Sequence, residues 1–200
     1  MQLENYYWCF HGAIPSRICD DIVAYGKELK EQAGVTFGYD PDNMTPNELK
    51  KVEKQRSSNV VWMDPVWIYR ELHPLVHEAN ANAGWNFQWD FSESCQFTKY
   101  VGSKKQHYDW HTDSGPRKNE NGKIRKLSMT VALVDGSEYE GGDFEVNLND
   151  PQKEAIHVIK PARLKGSVTI FPSFVWHRVT PVTSGTRYSL VNWHQGWPHT

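Results

Sequence analysis

Cysteine is scarce in this chain of 200 residues: there are three, Cys9, Cys19 and Cys95, an odd number with no Cys-x-x-Cys spacing. That usage argues against a disulfide framework and against a thiolate zinc site, and makes a reducing compartment the default. Long apolar runs are missing too, since none approaches the ~20 residues needed to span a bilayer. The first residues, MQLENYYWCFHG, lack the basic segment and apolar run of a signal peptide. Neither sign of charge dominates: 22 Lys and Arg stand against 24 Asp and Glu, a net charge of −2. Nothing in that balance calls for a nucleic acid or an anionic membrane as partner. There is no internal repeat and no low-complexity tract. The expectation is a soluble, cytoplasmic protein whose oligomeric state is open.

Aromatic residues are plentiful, with 9 Trp, 9 Tyr and 8 Phe. Such side chains favour pleated, half-buried surfaces and binding clefts. Helix signals come first. Ser16 is placed to cap a helix carrying Ile18, Ile22, Tyr25 and Leu29 on one face and ending near Gly34. Thr45-Pro46-Asn47-Glu48 is a capping box with proline at the first helical position. The stretch VTFGYDPDNM before it reads as an exposed loop, NVVWM as a strand, and Pro74 to Ala83 as another helix. From about Asn86 strands take over: NFQWDF and SMTVALV alternate, followed by EGGDFEV, GSVTIF and RYSLVNW. Short strands separated by Gly, Pro and Asn turns suggest a jelly roll. The expected class is therefore α+β, a jelly-roll core braced by N-terminal helices. One domain of residues 1–200 is expected, with helical support over 1–85 and the β-core over about 86–197.

The stretch HYDWHTD repeats one figure, His-x-Asp, at His107/Asp109 and at His111/Asp113. A histidine and a carboxylate two residues apart can be metal ligands, but one such pair is expected by chance in a chain with nine histidines. Taken alone, the stretch reads better as a polar strand edge, and spacing does not choose between the copies. The far end of the chain alters the weighing. His177 follows a hydrophobic strand and a proline turn, and Arg187 opens another strand ten residues later. Two histidines and one carboxylate make the facial triad of non-haem Fe(II) oxygenases, which leaves metal positions open. A nearby arginine can hold a dicarboxylate through a bidentate pair. Along the last strand, Arg187, Ser189, Val191 and Trp193 share a face, with about 20 Å between the first and the last.

These residues resemble the Fe(II)/2-oxoglutarate dioxygenases, specifically the prolyl 4-hydroxylase-like branch. The likeness runs from about Asn59 to Trp197. Tyr100, Gly102, Tyr108, His111, Asp113, His177 and Arg187 stand where that family has Tyr…Gly…Tyr-x-x-His-x-Asp, a later histidine and a basic residue about ten further on. The match decides between the two copies. Tyr108 falls three residues before His111, and the turn Ser114-Gly115-Pro116 follows Asp113, so His107 and Asp109 become strand residues beside the site.

The resemblance implies a double-stranded β-helix and the oxidation of 2-oxoglutarate to succinate and CO₂, coupled to hydroxylation of a C–H bond. The first choice of substrate is a prolyl residue of a peptide or protein. A lysyl residue, a free amino acid or another small molecule is the alternative, and a cupin-like binding module without oxygenase activity is a third reading. The implied cofactors are Fe(II), 2-oxoglutarate as co-substrate, O₂, and ascorbate as reductant. His111, Asp113 and His177 are the implied metal ligands; Arg187, Ser189 and Tyr100 the implied 2-oxoglutarate contacts; Tyr108 and Trp193 the implied substrate contacts. Some relatives carry a second tyrosine for the co-substrate on the strand SMTVALV. Ala132 stands at that position, leaving Ser189 or Thr169 as the second donor.

Other candidates read as ordinary structure. His73 and His77 are four apart, but His73 precedes Pro74 at an expected helix start and no glutamate follows in the metalloprotease arrangement. Trp62, Trp67, Trp85 and Trp89 are expected in the core, and His194 and His199 at the surface. Gly141-Gly142 is a turn, since no helix follows to make a phosphate loop. The polar region Val35–Ser58 is expected as a loop near the substrate.

Overall fold

In a computed structural model of the chain, the described residues are 3–36, 43–115, 118–148 and 155–198. Strand β1 (Trp8–Phe10) leads into helix α1 (Ser16–Glu28), then β2 (Gln32–Ala33), α2 (Pro46–Gln55), β3 (Arg56–Ser57), β4 (Asn59–Met63) and α3 (Val66–Asn82). The remaining strands are β5 (Phe91–Ser92), β6 (Cys95–Val101), β7 (His107–His111), β8 (Ile124–Ala132), β9 (Tyr139–Gly141), β10 (Phe144–Asn147), β11 (Ile156–Val158), β12 (Val168–Pro172), β13 (Trp176–Val179) and β14 (Val182–Gly196). They form two antiparallel sheets. The larger runs β1-β12-β8-β14-β6-β4-β2, with β5 and β9 also paired to β14; the smaller runs β11-β10-β13-β7-β3.

Alternation along the strands divides the molecule into two cores. Leu127, Met129 and Val131 of β8, Val168 and Ile170 of β12, Phe97 of β6 and Leu190 of β14 face α1 and α3, meeting Cys19, Ile22, Ile68, Leu72, Val76 and Ala79. Helix α1 lies close enough that a Cβ on Gly26 would come within 2.8 Å of the Phe97 ring, so glycine is what the approach requires. The intervening residues of the same strands face the smaller sheet, where Tyr100 and Phe171 join Phe144, Val146, Val175 and Val179. Helices therefore brace one face of the larger sheet, and the opposite face is left for the cleft between sheets.

Several local expectations are corrected. Ser16 is the first residue of α1 and caps nothing; Pro15 holds the cap position, and the helix ends at Glu28 because the chain then pairs with β4. The capping box at Thr45 and Glu48 is present as expected. The helix expected from Pro74 starts at Val66 and carries Pro74 inside it. Proline there forfeits one helical hydrogen bond, tolerated because Ile68, Leu72, Val76 and Ala79 bury a continuous stripe on both sides of it. Of NFQWDF only Phe91 is in a strand, as the first residue of β5. Asn86 has φ 51, and the Asn80 side chain both accepts from the Phe87 N–H (2.9 Å) and donates to its carbonyl (2.8 Å), replacing a ladder partner.

His194 is also corrected: it is 0% exposed, lying under α3. Its Nδ1 and the Nε2 of His73 both contact the Ser92 hydroxyl, at 2.9 and 3.0 Å, and its ring lies 4.7 Å from that of Trp89. Burial, then the neighbouring His73 and His77, hold its pKa down to about 3. His73 sits mid-helix in this network and His77 stacks on Trp89 at 4.7 Å. Trp85 is buried and Trp67 and Trp89 pack against the helical core, but Trp62 is 44% exposed. Of the expected loop Val35–Ser58, residues 37–42 lie outside the described residues, and much of the rest is α2 and β3. Pro116 and His199 lie outside them as well.

Candidate metal centre

The cleft between the sheets, about 420 Å³ with its open mouth, is lined by all eight residues singled out from the sequence: His111, Asp113, His177, Arg187, Ser189, Tyr100, Tyr108 and Trp193. Strand pairing brings them together. β7 and β13 set His111 opposite His177, and β14 pairs with β6 so that Arg187 faces Tyr100. Arg187, Ser189, Val191 and Trp193 run along one wall, as strand alternation requires.

Ligand atoms of His111, Asp113 and His177 all lie within 4.8 Å of one another, the one such group among the described residues. The His111 Nε2 is 3.7 Å from one oxygen of Asp113, and the His177 Nε2 is 3.5 Å from the other. Each imidazole is oriented from behind. His111 Nδ1 lies 2.7 Å from the Asp109 carbonyl and His177 Nδ1 2.9 Å from the Val175 carbonyl. Carbonyl oxygens only accept, so both Nδ1 atoms carry the proton and both Nε2 lone pairs are free toward Asp113. Burial, then the neighbouring His177 ring, holds the His111 pKa down to about 3, leaving it a neutral ligand at neutral pH. For Asp113, burial acts to raise the pKa, but His177, His111, Arg125 and a hydrogen bond from Ser128 outweigh it and hold it at about 2. Its backbone is fixed as well: the N–H groups of Asp113 and Ser114 both donate to the Ser173 carbonyl at 2.9 Å. Two neutral nitrogens and one carboxylate, pre-oriented and with an open side facing a cleft, fit Fe(II).

Arg187 is 3% exposed. Its Nη1 donates to Ser189 Oγ at 3.1 Å and its guanidinium lies 5.4 Å from the Tyr100 ring centroid, but among the described residues no carboxylate pairs with it. A buried cation without a counter-ion is costly unless an anion arrives. Thr169 is not in the cleft; its hydroxyl donates to Cys9 Sγ at 3.6 Å. Trp193 is buried, with the Arg125 guanidinium 3.9 Å from its ring centroid and Trp62 at 6.1 Å. Two hydrogen bonds of 2.6 Å tie Arg125 to Glu93. The indole N–H of Trp193 has no partner. Burial pushes the Tyr108 hydroxyl up to about 12, so it stays protonated.

His107 turns away and contacts the carbonyls of Lys105 and Lys54. Asp109 serves the site through its backbone carbonyl. Gln96, Thr130, Phe144 and Val179 also line the cleft and were not singled out. Thr130 was open to inference, as the polar position alternating with Met129 and Val131. Arg56 and Arg125 left no local signal.

Residues 95–195, just over half of the chain, match the sequence profile of the 2OG-Fe(II) oxygenase superfamily. A PKHD-type hydroxylase of Synechococcus sp. (strain CC9311) is 32% identical over 132 residues, covering 63% of this chain and 56% of that protein. Another, from Azoarcus sp. (strain BH72), is 40% identical over 102 residues, covering 50% and 41%. The chain thus spans about half the length of the curated relatives it matches. Among solved structures, a Pseudomonas putida prolyl-4-hydroxylase superposes with a TM-score of 0.69 at 19% identity, covering 96% of this chain and 94% of that one. A Trichoplax adhaerens prolyl hydroxylase in complex with a hypoxia inducible factor oxygen degradation domain peptide fragment gives 0.68 at 18%, covering 96% and 84%. At such identities the likeness is one of fold, the double-stranded β-helix.

Proposed function

Because this chain belongs to the 2OG-Fe(II) oxygenase superfamily, we propose that it is a 2-oxoglutarate-dependent dioxygenase hydroxylating a prolyl residue of a peptide or protein. The observation that carries the reading is Arg187, a buried arginine with no acidic partner among the described residues, in the same cleft as two histidines and an aspartate. A metal-binding jelly roll without oxygenase activity has no use for such a cation. Its position suits the distal carboxylate of 2-oxoglutarate, with Ser189 as second donor and Tyr100 beneath the guanidinium.

His111, Asp113 and His177 would hold the iron. Bound there with 2-oxoglutarate and O₂, iron supplies the oxidant: one oxygen atom enters the substrate C–H bond, the other enters succinate, and CO₂ leaves. The chain's own residues orient and exclude. Both Nδ1–H bonds fix the ligand tautomers, and Arg187 sets the direction in which the diacid enters. The unpaired indole N–H of Trp193 and the protonated hydroxyl of Tyr108 are donors for a peptide carbonyl. A peptide substrate is supported by the structural neighbour solved with a peptide fragment. The helices and the two sheets of the described residues act in this proposal as one oxygenase domain, with ascorbate as its reductant.

Anaerobic protein given Fe(II) and 2-oxoglutarate should show the weak visible absorption of the chelate, and Arg187→Ala should diminish it. No absorption, together with no succinate in air, defeats the reading. Mass spectrometry of proline-containing peptides then tests the substrate. Gain of one oxygen on proline supports it, while oxygen found only on lysine, or only on a small molecule, replaces it.

A further inference from the structure

Tyr108 and His111 are three residues apart on β7, a spacing that places side chains on opposite faces of a regular strand. In the structure their rings are stacked, with centroids 3.5 Å apart and planes inclined by 11°. The cause lies in the pairing with β13. His111 stands across from His177 and Tyr108 across from Val179, so three steps on β7 match two on β13. This is a β-bulge, whose extra residue turns the side chains beyond it to the other face. Polar groups pin it: the Trp110 N–H donates to Asp109 Oδ1 at 2.8 Å, and the Gln55 amide donates to the Trp110 carbonyl at 3.0 Å.

The second face of Tyr108 is also taken. Strand β3 places Arg56 opposite Tyr108, with its guanidinium carbon 4.6 Å from the ring centroid. An imidazole at 3.5 Å leaves no room for a guanidinium on the same side, so Arg56 covers the other. Arg56 is 5% exposed and held by bonds to Ser58 Oγ (2.9 Å) and the Val35 carbonyl (3.2 Å). Only the edge and the hydroxyl of Tyr108 remain for anything in the cleft.

We propose that Tyr108 and Arg56 are positioning residues for His111, and that no substrate ring stacks on the face of Tyr108. This rests on the reading of His111 as a metal ligand. The hydrogen bond to Asp109 selects the tautomer of His111; the clamp of Arg56, Tyr108 and His111 sets the plane in which its Nε2 lone pair points. Groups that orient a ligating histidine typically affect metal affinity by about 10–100-fold.

The test is Co(II) titration of the metal-free protein and of three variants, followed by NMR of the Co(II)-loaded forms. Tyr108→Phe keeps the ring and should bind within about twofold of the wild type. Tyr108→Leu removes the ring and should bind about tenfold more weakly, and Arg56→Met, which frees the ring, should bind several-fold more weakly. The loaded wild type should show two shifted, exchangeable N–H signals, from Nδ1 of His111 and of His177. In Tyr108→Leu and Arg56→Met only the His111 signal should move or broaden. If Tyr108→Phe weakens binding as much as Tyr108→Leu, the hydroxyl is responsible and the clamp is wrong. Wild-type affinity in Tyr108→Leu, with only the peptide KM raised, makes Tyr108 a substrate platform and also overturns the proposal. Should Tyr108→Leu fail to fold, Arg56→Met decides, since wild-type affinity with an unmoved His111 signal refutes the clamp. Wild-type protein that binds no Co(II) defeats the metal-site reading itself, a different result.

Discussion

Replacing Arg187 with methionine should separate stability from ligand affinity, moving them in opposite directions. The side chain is 3% exposed; its guanidinium donates to Ser189 and lies near the Tyr100 ring, with no acidic partner among the described residues. Exchanging buried charge for a well-packed apolar side chain is often neutral or stabilising by about 1–4 kcal/mol. The ligand-free variant should therefore melt at or above the wild-type temperature. The wild type, with Mn(II) in place of iron to prevent turnover and 2-oxoglutarate at about 100 times its Kd, should gain about 2.7 kcal/mol. At about 2–4 °C per kcal/mol for a chain of this size, that is a rise of roughly 5–11 °C. Losing a buried charge pair with the ligand costs about 2–5 kcal/mol, so at the same ligand concentration the variant's rise should be below about 4 °C. Thermal unfolding with and without 2-oxoglutarate measures both. A ligand-free variant melting well below the wild type, yet keeping the full ligand-induced rise, would show that Arg187 is a structural group and would falsify its assignment.

Acid should act through His194. Its folded pKa of about 3 lies below the ordinary 6.5, so the unfolded chain takes up a proton first as pH falls through 6.5. The stability is complete above that pH and declines by up to about 1.4 kcal/mol per unit until about pH 3. Urea midpoints at pH 7 and pH 5 should differ less in His194→Phe than in the wild type; an equal difference sinks the argument. Asp113→Ala should abolish Fe(II) binding in equilibrium dialysis under argon, and retained stoichiometric binding would move the metal elsewhere. Gly185 has φ +68, and a Cβ there would lie 2.1 Å from the Glu138 carbonyl oxygen. Gly185→Ala should therefore cost at least about 1–3 kcal/mol, and an unchanged melting temperature would contradict the β9–β14 geometry. Trp193→Leu should raise the KM for a peptide while 2-oxoglutarate turnover without peptide persists, and loss of that turnover would place Trp193 at the co-substrate.

Whatever depends on short-range pattern was legible in the chain. The Thr45–Glu48 box needs only neighbouring atoms, and the shared face of Arg187, Ser189, Val191 and Trp193 follows from strand geometry. Eight of the residues that line the cleft were recognisable because their spacing matches a known arrangement. What could not be read depends on distant partners. The bulge in β7 exists only against β13, and Arg56 reaches Tyr108 only because β3 pairs there. His194 looks polar and terminal until α3 covers it. Pro74 looks like a helix start because proline suits that position, and only the packing of its neighbours carries the helix through it. NFQWDF alternates like a strand, but the Asn80 side chain takes its backbone partners first.

The 15-residue strand β14 carries one wall of the cleft on its odd-numbered residues from Arg187 to Trp193, and a core-facing row on the even ones. That makes the strand a ruler with a parity rule. A single residue inserted between Arg187 and Trp193 would send Trp193 into the helical core and bring its neighbours round to the cleft, destroying both at once. Two inserted residues would keep every side chain on its proper face and lengthen the wall by about 6.6 Å. Reach between the diacid end and the substrate end can thus change on this scaffold only in two-residue steps, or by substitution within a fixed length. A longer or shorter substrate is accommodated by trading side chains, and the backbone keeps count.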